Sequence, residues 1–134
     1  LEPYRKPFHT LNPAMALFKD GRSMVYGTMG GDGQPQTQCA VFTRTAIYGL
    51  DPQDAISRPR WLLGRTWGQT SDSLKLESRF SPWVAKELHS LGHEIEILDA
   101  FDETMGHAGY IIRDPSGTLH GGWDPRSDGA VSAF

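Results

Sequence analysis

The stretch Tyr26-Gly-Thr-Met-Gly-Gly-Asp-Gly-Gln-Pro-Gln36 leads from an apolar, strand-like run into a helical pattern, and the rest of the chain is arranged around it. Its Gly30-Gly31 pair lets the main chain approach a ligand closely and point two N–H groups in one direction. Two such amides beside the start of a helix can bind a carboxylate or an oxyanion. We therefore predict that the Gly30 and Gly31 amides form half of an acyl-transfer site whose nucleophile lies outside this chain.

This glycine turn has two other interpretations, a phosphate-binding loop and a purely structural turn. It is not a phosphate-binding loop, because the Lys-Ser/Thr pair that completes that motif is missing and no G-x-G-x-x-G occurs. A lone glycine turn after a strand is more often structural than functional. The motifs that surround the turn along the chain favour the functional interpretation here.

Length and charge limit the class of protein. The chain has 134 residues, a net charge of -3 and a pI near 5.9, which fits one domain without the basic face of a nucleic-acid or membrane-surface binder. No apolar run is long enough to span a membrane. The single cysteine, Cys39, forms no internal disulfide and favours a reducing compartment, cytoplasm over periplasm, although the compartment otherwise stays open. The chain starts at Leu1 without a signal-peptide core, so we expect it to be a piece of a longer protein.

The pattern of apolar residues and turn signals predicts a mixed α+β domain with antiparallel hairpins flanked by helices. Residues 14–19 and 22–29 form a hairpin with a type I′ turn at Asp20-Gly21, and their apolar character predicts strands covered on both faces. A helix follows from Gln36 to Tyr48 and ends at Gly49. The remaining predicted elements are helices at 51–57 and 81–91 and strands at 61–63, 74–77, 94–98, 109–113 and 118–123.

Several motifs occur in one order along nearly the whole chain. They are Pro7-Phe-His-Thr-Leu-Asn-Pro13, the strand–Gly-Gly–helix turn, Tyr48-Gly-Leu-Asp-Pro52, Arg58-Pro-Arg-Trp61, Met105-Gly-His-Ala108 and Asp124-Pro-Arg-Ser-Asp-Gly129. Together they resemble the C-terminal part of the small subunit in the γ-glutamyltransferase (γ-glutamyltranspeptidase) family of N-terminal-nucleophile hydrolases. The sequence of residues 29–36 is closer to the branch described as cephalosporin acylase-like or amidohydrolase-like.

This resemblance implies a fold and a set of site residues. The fold would be part of a four-layer αββα sandwich. Gly30 and Gly31 match the glycine pair whose amides form the family's oxyanion hole. His9 and Thr10 match its paired hydroxyl residues, which hold the substrate's α-carboxylate. Thr10 keeps a hydroxyl donor, whereas His9 departs from the pattern, so an amide other than a γ-glutamyl group is open as the substrate.

The resemblance also implies what this chain lacks. The family's nucleophile is a threonine exposed by autocleavage upstream of this segment, and its own α-amine acts as the base. We therefore expect the isolated chain to be inactive and to need the remainder of the enzyme, namely the large subunit and the N-terminal part of the small subunit, or a second copy. The substrate would be a γ-glutamyl compound or another small amide, and no cofactor is expected. The alternatives are a non-catalytic anion-binding or assembly module and a fragment without a role of its own.

Other residues with chemically versatile side chains receive simpler interpretations. Cys39 is predicted to be a small core residue. His89 and His93 are four residues apart but separated by Gly92, which argues against a metal site. His107 is either a packing residue or a support for the site. His120 is predicted to lie on an exposed hairpin.

The C-terminal segment and the tryptophans also have structural explanations. Asp124, Arg126 and Asp128 could form a cation loop, but no bidentate glutamate follows them, so a local salt-bridged tie is the better prediction. The four tryptophans are spread along the chain and predict core and loop anchors, not a platform for stacking bases. They are Trp61, Trp67, Trp83 and Trp123.

Overall fold

The computed structural model of the protein describes residues 2–66 and 70–133. In these ranges α-helices and β-strands are mixed, with the hairpins antiparallel, as predicted. The strands are β1 Ala14–Leu17, β2 Ser23–Thr28, β3 Trp61–Leu63, β4 Leu74–Glu77, β5 Ile95–Leu98, β6 Ala108–Arg113 and β7 Leu119–Trp123. The α-helices are α1 Gln34–Ala46, α2 Pro52–Ser57 and α3 Pro82–Ser90, and short 3-10 helices cover Gly31–Gly33 and Glu103–Met105.

Four antiparallel strands form the larger sheet, in the order β1-β2-β6-β7. One face of it packs against α1 and α2 and contains the main core. That core consists of Met24, Val41, Ala55, Ile56, Ala108, Tyr110 and Ile112. On the opposite face Met15, Val25 and Ile111 share one row across the sheet and are exposed. Among the described residues, helices of this chain therefore cover only one face of the larger sheet. The apolar character of the strands had predicted that both faces would be covered.

A second sheet has the order β3-β4-β5, with β3 and β4 antiparallel and β4 and β5 parallel. The parallel pair is connected through α3, which lies between the two strands in sequence. All four residues of β4 are buried, including Lys75 and Glu77. The strand predicted at 74–77 is therefore confirmed, and charged partners satisfy its two polar side chains inside the protein.

The first hairpin closes with a different turn from the one predicted. The Gly21 N–H donates to the Phe18 carbonyl at 3.1 Å, and the Phe18 N–H donates to the Arg22 carbonyl at 2.9 Å. Gly21 has a φ of +88°, while Asp20 does not have a positive φ. A type I′ turn needs positive φ at both central residues. The hairpin therefore uses a three-residue loop that ends at Gly21.

Helix α1 begins at Gln34, two residues before the predicted start, and its buried face is largely polar. That face consists of Gln34, Thr37, Gln38, Val41 and Thr45. Cys39 is exposed, so its assignment to the core is wrong. The polar face is stable because its side chains bond to carbonyls of distant segments, as Thr37 does with Met105 at 3.0 Å. No helix within the described ranges has the length and apolarity needed to cross a lipid bilayer.

Candidate active site

The Gly30-Gly31 turn lies between β2 and α1 and has a conformation that favours glycine. Gly30 has φ +132° and ψ +23°, and Gly31 has φ +52°. A ψ near zero places the nitrogens of Gly30 and Gly31 on the same side of the Cα–C bond, so the two amides are close neighbours. A side chain at Gly30 would be strained in this region of φ. Gly30 is buried and Gly31 is exposed.

Among the residues that the structure describes, neither amide N–H of the turn has an acceptor, whereas the carbonyl oxygens of the same two peptide units accept hydrogen bonds. Within residues 2–66 and 70–133, neither the Gly30 N–H nor the Gly31 N–H donates a hydrogen bond. The Met29 carbonyl accepts from the Thr28 hydroxyl at 2.7 Å. The Gly30 carbonyl accepts from the Thr66 hydroxyl at 2.8 Å and from the Gly33 N–H at 2.8 Å. In a trans peptide the N–H points opposite to the carbonyl, so both N–H groups face away from these donors and stay available to an anion.

Gly106 supports the turn through main-chain contact. The Met29 N–H donates to the His107 carbonyl at 3.4 Å, which places the segment from Gly106 to Ala108 beside the turn. A Cβ atom at Gly106 would lie 2.4 Å from the Met29 carbonyl oxygen, and Gly106 has a φ of +78°. The Met29–Gly30 peptide can keep its orientation only because residue 106 has no side chain.

Substitution of Gly106 by alanine is therefore expected to lower the free energy of unfolding of the full-length protein by about 2–3 kcal/mol, since backbone strain and a main-chain collision add. Gly117→Ala is the matched control: its φ is +91°, but nothing lies within 4 Å of the added methyl group, so about 1 kcal/mol is expected. Urea unfolding of both variants measures the difference. Equal losses would contradict a collision at Gly106.

The predicted carboxylate-binding residues are on the exposed N-terminal segment. Its main chain is tied to α1: the Gln34 side-chain amide donates to the Thr10 carbonyl at 3.0 Å, and the Gln38 amide donates to the Asn12 carbonyl at 2.5 Å. These bonds bring Thr10 to the first turn of the helix that follows Gly31. The side chains of His9 and Thr10 remain exposed to solvent in this chain.

An apolar groove of about 810 Å³ runs along the open face of the larger sheet. Sequence reasoning missed it, because strand patterning alone does not show what lies over a sheet. Thr28, Met29 and His107 line it, together with Trp123 and Val131. Gly30 and Gly31 are not among the lining residues, so the groove ends beside the turn without containing it. The buried Nε2 atom of His107 has no hydrogen-bond partner among the described residues.

A network of buried charges connects this region to the C-terminal segment. Arg126 donates to both carboxylate oxygens of Glu77 at 2.6 Å and to Asp124 at 3.0 Å. Asp124 also accepts from Arg60 and, at 2.7 Å, from the Ala108 N–H. The predicted salt-bridged tie between Asp124 and Arg126 is confirmed, but it is not local, because it reaches Arg60 and Glu77. No short-range pattern pointed to these two residues.

Arg60 links the network to the glycine turn. Its guanidinium donates to the Gly106 carbonyl at 2.7 Å, beneath the Met29–Gly30 peptide. Burial lowers the pKa of Arg60 to about 10, and the neighbouring carboxylate of Asp124 opposes that shift. The guanidinium is therefore charged at neutral pH. The segment from Gly106 to Ala108 is fixed from both ends, by Arg60 and by Asp124.

The other candidate residues lie apart from the turn. His120 is exposed, as predicted, and its Nε2 lies 2.8 Å from Asp114. Asp128 is exposed, and no group of three metal-ligating side chains occurs in the described part of the chain. Trp83 is 67% exposed and thus not a core anchor. Trp67 lies outside the described residues.

Comparison with known sequences gives a match over the full chain. A family model for Gamma-glutamyltranspeptidase matches residues 1–134. The oxamate amidohydrolase proenzyme of Klebsiella pneumoniae is 62% identical over 134 residues, covering 100% of this chain and 25% of the relative. The glutathione hydrolase-like YwrD proenzyme of Bacillus subtilis is 48% identical over 131 residues, covering 98% of this chain and 25% of the relative. The chain thus spans about a quarter of the length of these curated relatives.

Solved structures give a consistent result. Cephalosporin acylase from Bacillus halodurans superposes with a TM-score of 0.71 at 38% identity, covering 82% of this chain and 20% of that one. The transpeptidase CapD of Bacillus anthracis superposes with a TM-score of 0.77 at 22% identity, covering 99% of this chain and 75% of that one. The second likeness shows a shared fold only.

Proposed function

Because the chain belongs to the gamma-glutamyltranspeptidase family, we propose that it supplies the oxyanion-binding and carboxylate-binding groups of an amide-cleaving active site. The membership also confirms the predicted fold, an α+β part of the N-terminal-nucleophile hydrolase sandwich. Since the curated relatives are about four times as long, the site is completed by other parts of the full-length protein. The isolated chain is inactive in this proposal.

One observation carries the proposal: the two neighbouring amides of Gly30 and Gly31 have no acceptor within the described residues, while their peptide carbonyls are held by buried or local donors. Orphan main-chain donors with fixed directions are what an oxyanion hole requires, because they need no reorganisation when charge develops. Buried main-chain N–H groups nearly always have a hydrogen-bond partner, so an unpaired N–H at the buried Gly30 favours a ligand over a purely structural turn.

The reaction follows from this arrangement. A threonine of the full-length protein attacks the amide carbonyl, and its own α-amine takes the hydroxyl proton. The carbonyl oxygen becomes an oxyanion and accepts hydrogen bonds from the Gly30 and Gly31 amides. The C–N bond then breaks, and the protonated amine leaves. Attack by water on the acyl-enzyme completes hydrolysis, whereas attack by an acceptor amine completes transfer.

The substrate class is proposed from the carboxylate-binding segment and from the relatives. The 62%-identical relative is named for oxamate, a small amide with one carboxylate, and the 48%-identical one for a resemblance to glutathione hydrolase. His9 departs from the hydroxyl pair that binds a γ-glutamyl carboxylate. These features together favour a short carboxylate-bearing amide over a γ-glutamyl compound.

The full-length, autocleaved protein tests this proposal when it is incubated separately with oxamate and with a γ-glutamyl anilide. We expect release of ammonia from oxamate at a higher kcat/KM than release of aniline from the anilide. Faster cleavage of the anilide would contradict the proposed substrate class but would still support amide cleavage as the reaction. Binding of oxamate without turnover of either compound would identify the alternative, an anion-binding or assembly module without catalysis.

Thr10→Val tests the carboxylate-binding role. A hydrogen bond to a charged group contributes about 1.5–3 kcal/mol, so loss of the hydroxyl is expected to raise KM roughly tenfold or more, with kcat changed less than about twofold. Thr118→Val removes a hydroxyl from an exposed hairpin and serves as the control. Steady-state kinetics on the full-length protein gives both constants. An unchanged KM for Thr10→Val would remove Thr10 from the site.

A further inference from the structure

We infer that Thr66 is a positioning residue whose hydroxyl sets the direction of the Gly31 amide; this inference rests on the proposed function of that amide. Thr66 lies in the connection between β3 and β4, 36 residues after Gly30 in sequence. Its side chain is 3% exposed, and its Oγ1 donates to the Gly30 carbonyl at 2.8 Å. A buried hydroxyl that bonds a carbonyl of the catalytic turn is placed to control that peptide.

The control acts through the geometry of a single peptide unit. The carbonyl of Gly30 and the N–H of Gly31 belong to the same plane and point in opposite directions. The torsions on either side of this plane are ψ of Gly30, at +23°, and φ of Gly31, at +52°. Because both residues are glycines, the plane rotates more freely than one between residues that carry a Cβ atom. A donor on the carbonyl side therefore fixes the N–H side. Thr66 provides that donor from outside the turn, while the Gly33 N–H provides a second one from within it.

Hydrogen bonds at Gly64 close the start of the connection in which Thr66 lies. The Gly64 N–H donates to the Ser73 carbonyl at 3.0 Å, which closes the base of the connection. The fully buried Lys75 ammonium donates to the Gly64 carbonyl at 2.9 Å and to the Ser73 hydroxyl at 3.1 Å. These bonds tie the start of the connection, at Gly64, to the second sheet. The Thr66 hydroxyl therefore provides one link between the second sheet and the glycine turn.

The expected effect of removing the hydroxyl is moderate. In Thr66→Val the Gly30 carbonyl keeps its bond from the Gly33 N–H, so the peptide loses one of two restraints. We expect kcat of the full-length protein to fall about tenfold, because small misplacement of a catalytic group reduces the rate strongly. KM should stay within about twofold, since the oxyanion forms only during reaction. Thr66→Ser retains the hydroxyl and should keep kcat within about twofold of the original protein.

A double substitution tests whether the Thr66 hydroxyl acts through the Gly31 peptide. When Gly31→Pro has removed the amide, Thr66→Val should cause no further loss of kcat, because nothing remains for the hydroxyl to orient. Independent effects would instead multiply. Thr43→Val is the matched control, since that hydroxyl also bonds main-chain carbonyls, at 2.8 and 3.2 Å, but within α1; its kcat should not change.

Rates are normalised to autocleaved protein, and thermal melting checks each variant. If Thr66→Val melts early, the comparison of Thr66→Ala with Thr66→Ser isolates the hydroxyl in the same way. The inference is overturned by an unchanged kcat in the variants without the hydroxyl, by equal losses in Thr66→Ser, or by multiplicative losses in the double variant. If Gly31→Pro alone leaves kcat unchanged, the proposed function fails as well. A loss in Gly31→Pro with none in Thr66→Val removes only the role of Thr66.

Discussion

Gly31→Pro is expected to lower kcat of the full-length protein by about 100- to 1,000-fold, the usual effect of removing one oxyanion donor. Proline has no N–H, so the substitution deletes the donor that the turn aims away from Thr66 and Gly33. Its ring also locks φ at about −65° instead of the +52° of Gly31, so the turn itself is displaced as well. Binding of substrate before reaction does not use this donor, so KM should change much less than kcat.

Gly31→Ala is the control for adding a side chain at this position. Alanine keeps the N–H and can adopt the φ of +52° at a cost of about 1 kcal/mol, so most of the turnover should remain. Single-turnover kinetics with oxamate, together with thermal melting, distinguishes lost chemistry from lost structure. Comparable rates in the alanine and proline variants would show that the Gly31 amide contacts no developing charge.

Glu77→Gln is expected to lower the free energy of unfolding by about 3–5 kcal/mol, because it removes one of the two buried carboxylates, Glu77 and Asp124, that pair with the buried arginines. The Glu77 side chain is fully buried. Its carboxylate accepts hydrogen bonds from the Arg60 main-chain N–H at 3.0 Å, from Arg79 at 2.7 Å and from Arg126 at 2.6 Å. An amide in its place would direct an NH₂ group at one of these donors. Urea unfolding of the full-length protein measures the loss.

The same variant should change how stability depends on pH. Burial raises the pKa of Glu77, but hydrogen bonds from Arg126 and from the Arg60 main chain outweigh it, so the pKa lies below the ordinary value of 4.5. A lowered pKa stabilises the folded state above about pH 4.5, and this contribution disappears as the pH falls through the folded-state pKa. The difference between the original protein and Glu77→Gln should therefore shrink below about pH 4.5.

Asp128→Asn is the control for the loss of a negative charge. Asp128 is exposed and lies two residues after Arg126, so a change within about 0.5 kcal/mol is expected. A loss in Glu77→Gln no larger than this would mean that the buried arginines find other partners. A pH dependence equal in both proteins would show that Glu77 does not contribute to acid unfolding.

Elements with local signals were predictable from the sequence. The helix predicted at 51–57 corresponds to α2, and the Asp51 carboxylate caps it by accepting from the N–H groups of Gln53 and Asp54 at 2.9 and 3.1 Å. Gly49 was expected after α1, and its φ is +67°. Caps and turns depend on a few consecutive residues, so the sequence predicts them without knowledge of the rest of the fold.

The errors come from contacts between distant segments. Cys39 was placed in the core because apolar residues usually mark the buried face of a helix, yet α1 buries Gln34 and Gln38, whose partners are carbonyls of the N-terminal segment. The pairing of Arg60 with Asp124 spans 64 residues. No spacing rule covers such pairs, because only the folded topology brings them together.

The candidate site divides in the same way. The glycine pair was identified from its spacing and from its place between a strand and a helix, and its role stays a prediction. The supporting role of Thr66 and Gly106 had no signal: Thr66 is a threonine in a polar stretch, and Gly106 was noted only as part of the Met105-Gly-His-Ala108 motif. Their relation to the turn depends on φ values and on distances that exist only in three dimensions.

The buried charge network has a consequence for the order in which the protein is made. Arg60 holds Gly106 beneath the turn, Asp124 supplies the carboxylate that pairs with Arg60, and Arg126 bonds to that same carboxylate. Ribosomes add residues from the N-terminus onward, so Gly30 and Gly31 leave the exit tunnel long before residues 124–126. In a nascent chain that ends before Asp124, Arg60 lacks the carboxylate with which it pairs in the folded protein. The charge network that supports the turn can therefore form only after the last tenth of this segment has been translated.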